Sequence, residues 1–340
     1  MPGGGDGRFM VSGVLLVVSF VAMVAGAVVF TNAIEWVGVR LGLGHGAVGS
    51  VLAAVATAMP ESLIPVIAVI GGGKQADPVA IGAIVGAPFL LGTLALAVCG
   101  ASALVYRSRR ASPRLQPDRG PISRDLYVVF GALVLALIVG LADSLPLRIA
   151  GAAVLVTAWA VLTWRTVARG RDEGGADEPG SLYFDTTKND PPTNLQILLQ
   201  VLVSIGLLIG AAQLFVSNIE HLANGHGVDP LILTLVIAPL ATELPETLNS
   251  VIWIRQGKDT LALGNVTGAM VLQSMPLVAF GMLTTDWQLH GHALAAMVAA
   301  LAGTVLGLIF MRSARHRPLP FIGCWTGLYL GGIASILAVT

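Results

Sequence analysis

A chain of 340 residues with 55% apolar and only 11% charged side chains lacks the polar surface of a soluble protein, in which roughly a quarter of residues are charged. Nineteen basic residues balance nineteen acidic ones, so the basic footprint of a nucleic-acid-binding protein is missing. A mean hydropathy of +0.82 points instead to an all-α integral membrane protein.

Apolar runs fall at 9–30, 46–70, 78–105, 126–142, 146–167, 195–220, 229–254, 260–283, 288–311 and 318–339. Each is close to the ~20 residues that cross a hydrocarbon core of about 30 Å, which predicts ten transmembrane helices. The first run follows Arg8 and holds Ala25-Gly26-Ala27, in the manner of a secretory leader. It is longer than the 7–15 apolar residues of a leader, and its sequence recurs later in the chain, so it reads as a span. The segment after the third run carries Arg107, Arg109, Arg110, Arg114, Arg119 and Arg124. Placing it in the cytoplasm, as the bias of basic loops directs, puts sixteen of the nineteen Lys and Arg on that side and leaves Arg8, Lys74 and Arg148. The expectation is a multi-pass protein of the cell (plasma) membrane with both termini outside. Residues 169–193 form a polar linker rich in Gly and Pro between a five-helix repeat at 1–168 and a second at 194–340. Cys99 and Cys324 lie in apolar runs and read as small packing residues rather than a disulfide or metal site.

The two halves share sequence. At an offset of 185, Phe30, Ile34, Glu35, Thr57, Pro60 and Glu61 meet Phe215, Ile219, Glu220, Thr242, Pro245 and Glu246. Further on, GKQADPVAIGAIVGA from Gly73 matches GKDTLALGNVTGA from Gly257 after a short gap. These blocks define one motif at about 46–100 and another at about 229–283. Five spans separate the copies, and an odd number turns the second upside down. Two inverted repeats with matching broken helices are an architecture of secondary transporters, which bind substrate near the bilayer midplane.

Carboxylates in mid-membrane are costly and functional by default. Glu61 and Glu246 each fall near the middle of a span, directly after a proline. Proline has no N–H and clashes with the carbonyl four residues earlier, so Pro60 frees that of Ala56 and Pro245 that of Ala241. With Thr57 and Thr242, each half offers a carboxylate, a carbonyl and a hydroxyl, the oxygen ligands of hard cations. Glu61 and Glu246 are the leading metal-ligating pair. Glu35 and Glu220, near the ends of spans one and six, are candidate vestibule acids. The histidines in or near loops read as solvated residues. No H-E-x-x-H, G-x-S-x-G or phosphate-binding loop appears, so no enzyme chemistry is expected.

Ala56-Thr57-Ala58-Met59-Pro60-Glu61 and Ala241-Thr242-Glu243-Leu244-Pro245-Glu246 resemble the G-T-S-L-P-E core of the sodium/calcium exchanger family, in the cation/calcium antiporter superfamily. Gly82-x-x-x-Gly86-Ala87 and Gly264-Asn265-x-x-Gly268-Ala269 resemble its G-N-x-x-G-S-N. The resemblance implies a secondary active antiporter that exchanges a cation, Ca²⁺ first, against H⁺ or Na⁺ by alternating access. Pro88 and Met270 stand where the family has Asn or Asp, and Ala58 and Glu243 where it has Ser. Glu243 becomes a third acidic ligand. Asn265 and Gln273 are neutral oxygen donors, and the carbonyl of Ile84, freed by Pro88, is a further one. Two carboxylates in a poorly hydrated site do not both ionise easily. One of the Glu243 and Glu246 pair is therefore expected to hold a proton until a divalent ion displaces it. A Na⁺/H⁺ exchanger on the same scaffold, or a cation channel, are the alternatives. No cofactor is expected beyond the transported cations; the partners are those cations and the lipid bilayer, with a homo-oligomer left open.

Overall fold

The computed structural model describes residues 5–40, 58–109, 112, 114–170, 180–185, 192–226, 229–313 and 318–338, and their regular elements are helices. In chain order these are α1 (Gly5–Arg40), α2 (Met59–Gly71), α3 (Ala76–Val105), α4 (Arg119–Ala142), α5 (Leu145–Gly170), α6 (Asn194–His226), α7 (Pro230–Thr242), α8 (Leu244–Arg255), α9 (Asp259–Thr284), α10 (Gly291–Arg312) and α11 (Pro318–Ala338). Eight of them are long and apolar enough to cross a membrane; α2 and α7 are shorter apolar helices. The chain is therefore a multi-pass membrane protein. The seventh apolar run, expected as one kinked span, is two helices that meet at Glu243, and of the second run only the part from Ala58 onward lies among the described residues. Pro60 and Pro245 each stand in the first turn of the helix they open, where a missing N–H costs nothing.

Helix α3 is the axis of the bundle and is almost wholly buried. Glycines let it approach its neighbours backbone to backbone, as small residues do in membrane helices. A Cβ on Gly82 would strike Thr234 and the Leu231 carbonyl, one on Gly86 the Leu235 carbonyl and Pro239, and one on Gly303 of α10 the Gly92 carbonyl. Both α3 and α9 widen into a π-helical turn, at Leu91–Ala95 and Gln273–Leu277. Each accompanies a proline: Pro88 just before the first, Pro276 within the second.

The loops sort to two ends of the bundle as alternation requires. At one end the Gln116 N–H donates to Asp259 (2.7 Å), the Asp118 N–H to Thr260 (2.8 Å) and Arg119 to the Ser313 carbonyl (3.3 Å). At the other, the Asp286 N–H donates to Asp77 (2.9 Å), Arg148 to the Thr285 carbonyl (2.6 Å) and Gln288 to Asp143 (3.0 Å). Asp77 and Asp259 lie in the first turns of α3 and α9, so the same contact of a helix-start aspartate with a loop N–H occurs once at each end. Helices α1 and α6 run antiparallel: Gln200 meets Val29, Leu208 meets Gly26, and Arg40 reaches the Pro192 carbonyl. Cys99 is buried and Cys324 exposed, neither in a disulfide.

Candidate functional site

The turns that precede α2 and α8 are one local structure made twice. Ala58 has φ −82°, ψ 5° and Glu243 has φ −88°, ψ 1°, in the sparsely allowed bridge region. The Ala58 carbonyl accepts from the Ser62 N–H (3.2 Å) and hydroxyl (2.6 Å). The Glu243 carbonyl accepts from the Thr247 N–H (3.0 Å) and hydroxyl (2.8 Å). Ser62 and Thr247 stand at the same offset of 185, so the sequence itself carries the signal of this shared turn. These turns place Glu61 and Glu246 in the first turn of their helices.

Glu61, Glu243, Glu246 and Gln273 are all buried, at 4%, 1%, 4% and 1% exposure. The Gln273 carboxamide, at the start of the α9 π-helical turn, donates to Glu243 Oε1 (2.6 Å) and toward Glu61 Oε1 (3.4 Å). One amide from α9 thus spans a carboxylate from each half of the chain. Glu246 lies within electrostatic reach of both other glutamates. Among the described residues, Glu61 Oε2, Glu243 Oε2 and Gln273 Oε1 are buried acceptors that receive no hydrogen bond. Buried polar atoms are nearly always partnered, and oxygen acceptors left open together suit a hard cation. Among the described residues no three His, Cys, Asp or Glu side chains converge as a metal cage. In this conformation the acidic groups are an amide-bridged set rather than a closed coordination shell.

The other expected ligands divide. The buried Thr242 hydroxyl donates to the Ala238 carbonyl (3.1 Å) and keeps its lone pairs. Ala241 lies in the last turn of α7, and Pro245 has no N–H to offer its carbonyl. Ala56 and Thr57 lie outside the described residues. Asn265 donates to the Glu246 backbone carbonyl (3.0 Å) and toward Ser250 Oγ (3.3 Å). Ser250 in turn donates to the Glu246 (2.9 Å) and Ala262 (3.0 Å) carbonyls. The amide nitrogen of Asn265 thus braces α8 against α9. The Ile84 side chain packs by Gly281 in the apolar core. Glu35 and Glu220 are half-buried and stand at opposite ends of the antiparallel α1–α6 pair. A groove of about 730 Å³ between α4 and α5, lined by Tyr127, Gly131, Ala158 and Met275 among others, carries no charged side chain and is not the ion site.

Comparison with known proteins bears on the family and the fold. The family described as sodium/calcium exchanger protein matches residues 11–168 and 196–337. CaxA of Alkalimonas amylolytica, named as a candidate antiporter, is 25% identical over 135 residues, 40% of this chain and 42% of that protein's length. Among solved structures, that of the H⁺/Ca²⁺ exchanger CAX superposes with a TM-score of 0.67 at 14% identity, covering 96% of this chain and 89% of that one. The sodium-calcium exchanger NCX_Mj gives a TM-score of 0.59 at 18% identity, covering 96% and 99%. At these identities the structural likeness speaks for the fold alone.

Proposed function

From the premise that the chain belongs to the sodium/calcium exchanger protein family, whose members move cations rather than catalyse reactions, we propose that it exchanges Ca²⁺ for H⁺ by alternating access at the Glu61–Glu243–Glu246 site. The observation that carries this reading is the buried Gln273 amide held between Glu61 and Glu243, with one oxygen each of Gln273, Glu61 and Glu243 accepting no hydrogen bond from the described residues. Counting α2 with the run before it, and α7 with α8, gives ten spans in two inverted five-helix repeats. The Arg-rich end faces the cytoplasm and both termini lie outside the cell membrane.

Two features favour H⁺ as the counter-ion. Three carboxylates share one water-poor site, and like charges so placed are not all ionised at once. A proton on one of them leaves when a divalent ion arrives. In addition, the halves are chemically unequal. Glu243, Asn265 and Gln273 of the second half are matched by Ala58, Ala83 and Leu91 of the first. A cohort of several Na⁺ needs oxygen ligands from both halves, and among the described residues the first half brings chiefly Glu61 to the site.

The test is Ca²⁺ flux in proteoliposomes under an imposed pH gradient or an imposed Na⁺ gradient, one at a time. The expected result is Ca²⁺ uptake that follows the pH gradient and ignores Na⁺. Uptake driven by Na⁺ alone overturns the proton assignment, and current beyond carrier turnover overturns antiport itself.

A further inference from the structure

His292 is not the solvated loop residue that its place in the sequence suggests. It stands in the first turn of α10 with its side chain 17% exposed, where the starts of α7 and α10 meet the end of α11. Its Nδ1 lies 2.5 Å from the Ile336 carbonyl, in the last turn of α11, where a helix leaves its carbonyls open. A carbonyl only accepts, so Nδ1 carries the hydrogen, and Nε2 is the nitrogen whose state can change. Nε2 stands 4.0 Å from Asp229 Oδ2. The other oxygen of that carboxylate, Oδ1, caps α7 by accepting from the Leu231 N–H (2.8 Å). One aspartate thus holds the first turn of α7 and faces His292.

At 4.0 Å the pair is too far apart for a hydrogen bond, and the charge of the ring decides whether it closes. A neutral ring turns an Nε2 lone pair toward the carboxylate and gains nothing by approach. A protonated ring turns an N–H there, and closure by about 1 Å makes a charge-assisted bond. Histidine ordinarily changes charge between pH 5 and 8. Few other charges face the ring. Helix α11 has no charged side chain, and α10 adds only His290 at its cap; the negative end of α11 and the positive end of α10 act on the ring in opposite senses. At the start of α3, Asp77 accepts from the Asp286 N–H (2.9 Å) and Lys74 is exposed. Arg148 holds the Thr285 carbonyl (2.6 Å) and Asp286 (3.9 Å), and Asp143 accepts from Gln288 (3.0 Å). Asp229 is the charge that answers the ring. We propose that His292 is a proton-operated latch, which when protonated draws in Asp229 and fastens the start of α7 to α10 and α11. Helix α7 carries Thr242 in its last turn and Glu243 at its end, so the pH at this end of the bundle sets how firmly those two groups are held. The latch stands on its own geometry; its effect on exchange rests on the antiport reading given above.

The test uses full-length protein. His292→Asn keeps a donor for the Ile336 carbonyl and does not titrate; Asp229→Asn keeps the cap and loses the charge. Thermal unfolding of wild type, the two single variants and the double variant is measured in detergent at about pH 5.5 and about pH 8, near the ends of the ordinary histidine range. At the lower pH each single substitution should reduce the midpoint by about 1–3 °C. Adding the second should change nothing more, the mark of a pair that acts as one. At the higher pH the two substitutions should not interact. Equal interaction at both pH values, or none at either, overturns the latch. Exchange of ⁴⁵Ca²⁺ for Ca²⁺ in proteoliposomes is measured at the same two pH values, each equal on both faces. Relative to His292→Asn, wild type should be about twofold or more slower at the lower pH than at the higher; a ratio that ignores pH overturns the control of exchange. No Ca²⁺ exchange by wild type at either pH overturns the antiport reading, and the unfolding cycle then decides the latch by itself.

Discussion

Replacing Gln273 with Met keeps the length and apolar volume of the side chain and deletes the donor that bridges Glu243 and Glu61. The bond to Glu243, at 2.6 Å, is short and carries charge if that group is ionised. Hydrogen bonds to charged groups contribute about 1.5–3 kcal/mol, and a buried acceptor left without a donor costs a similar amount. The longer approach to Glu61, at 3.4 Å, adds little. The empty protein should therefore lose about 2–3 kcal/mol of stability. Saturating Ca²⁺ supplies positive charge to the same oxygens, so the bound protein should lose less. Denaturation in detergent with and without Ca²⁺ reads both quantities through ligand linkage. A variant as stable as wild type when empty would show that the amide does not hold the carboxylates, and the geometry of the site would have to be redrawn.

Glu61→Gln and Glu246→Gln should each abolish Ca²⁺ exchange while inserting and purifying as wild type; exchange at the wild-type rate in either one sinks the assignment. Gly86→Ala would press a Cβ onto the Leu235 carbonyl and to within 2.6 Å of Pro239 Cγ. Overpacking of this kind costs about 1–3 kcal/mol, so thermal unfolding should occur at lower temperature than for Gly206→Ala, whose Cβ meets no atom within 4 Å. In a cysteine-free background, Ser112→Cys should react only with thiol reagents that reach the cytoplasm and Asp286→Cys only with external ones. Labelling of both from one side contradicts the inverted arrangement.

The membrane class, the break of the seventh run and the matching turns at Ala58 and Glu243 were legible because they rest on covalent facts. Apolar length, the absent N–H of proline and a repeated T-x-x-P-E need no tertiary context. Ligand roles were less legible, because they depend on which way a side chain is held. Asn265 and Gln273 looked alike as neutral donors. One turns its amide nitrogen to the Glu246 backbone and Ser250, and the other to two carboxylates. The difference follows from position on α9: Asn265 lies in regular helix beside α8, and Gln273 opens the π-helical turn. Neither π-helical turn was foreseen, since a proline marks strain in a helix without saying how it is relieved. The docking of residues 180–185 was equally invisible. Its signal was Asn32 of α1 and Gln200 of α6, far apart in sequence, which meet each other and the backbone N–H groups of Tyr183 and Phe184.

Calorimetric titration of purified protein with Ca²⁺ at neutral pH, repeated in buffers of different ionisation enthalpy, counts the protons released per ion bound. It isolates the step on which the proposed coupling depends, without vesicles or gradients. Proton release by wild type, together with reduced release and retained Ca²⁺ binding in Glu243→Gln, is the result predicted for a buried carboxylate set that trades H⁺ for Ca²⁺. Ca²⁺ binding by wild type with no change in bound protons would contradict it.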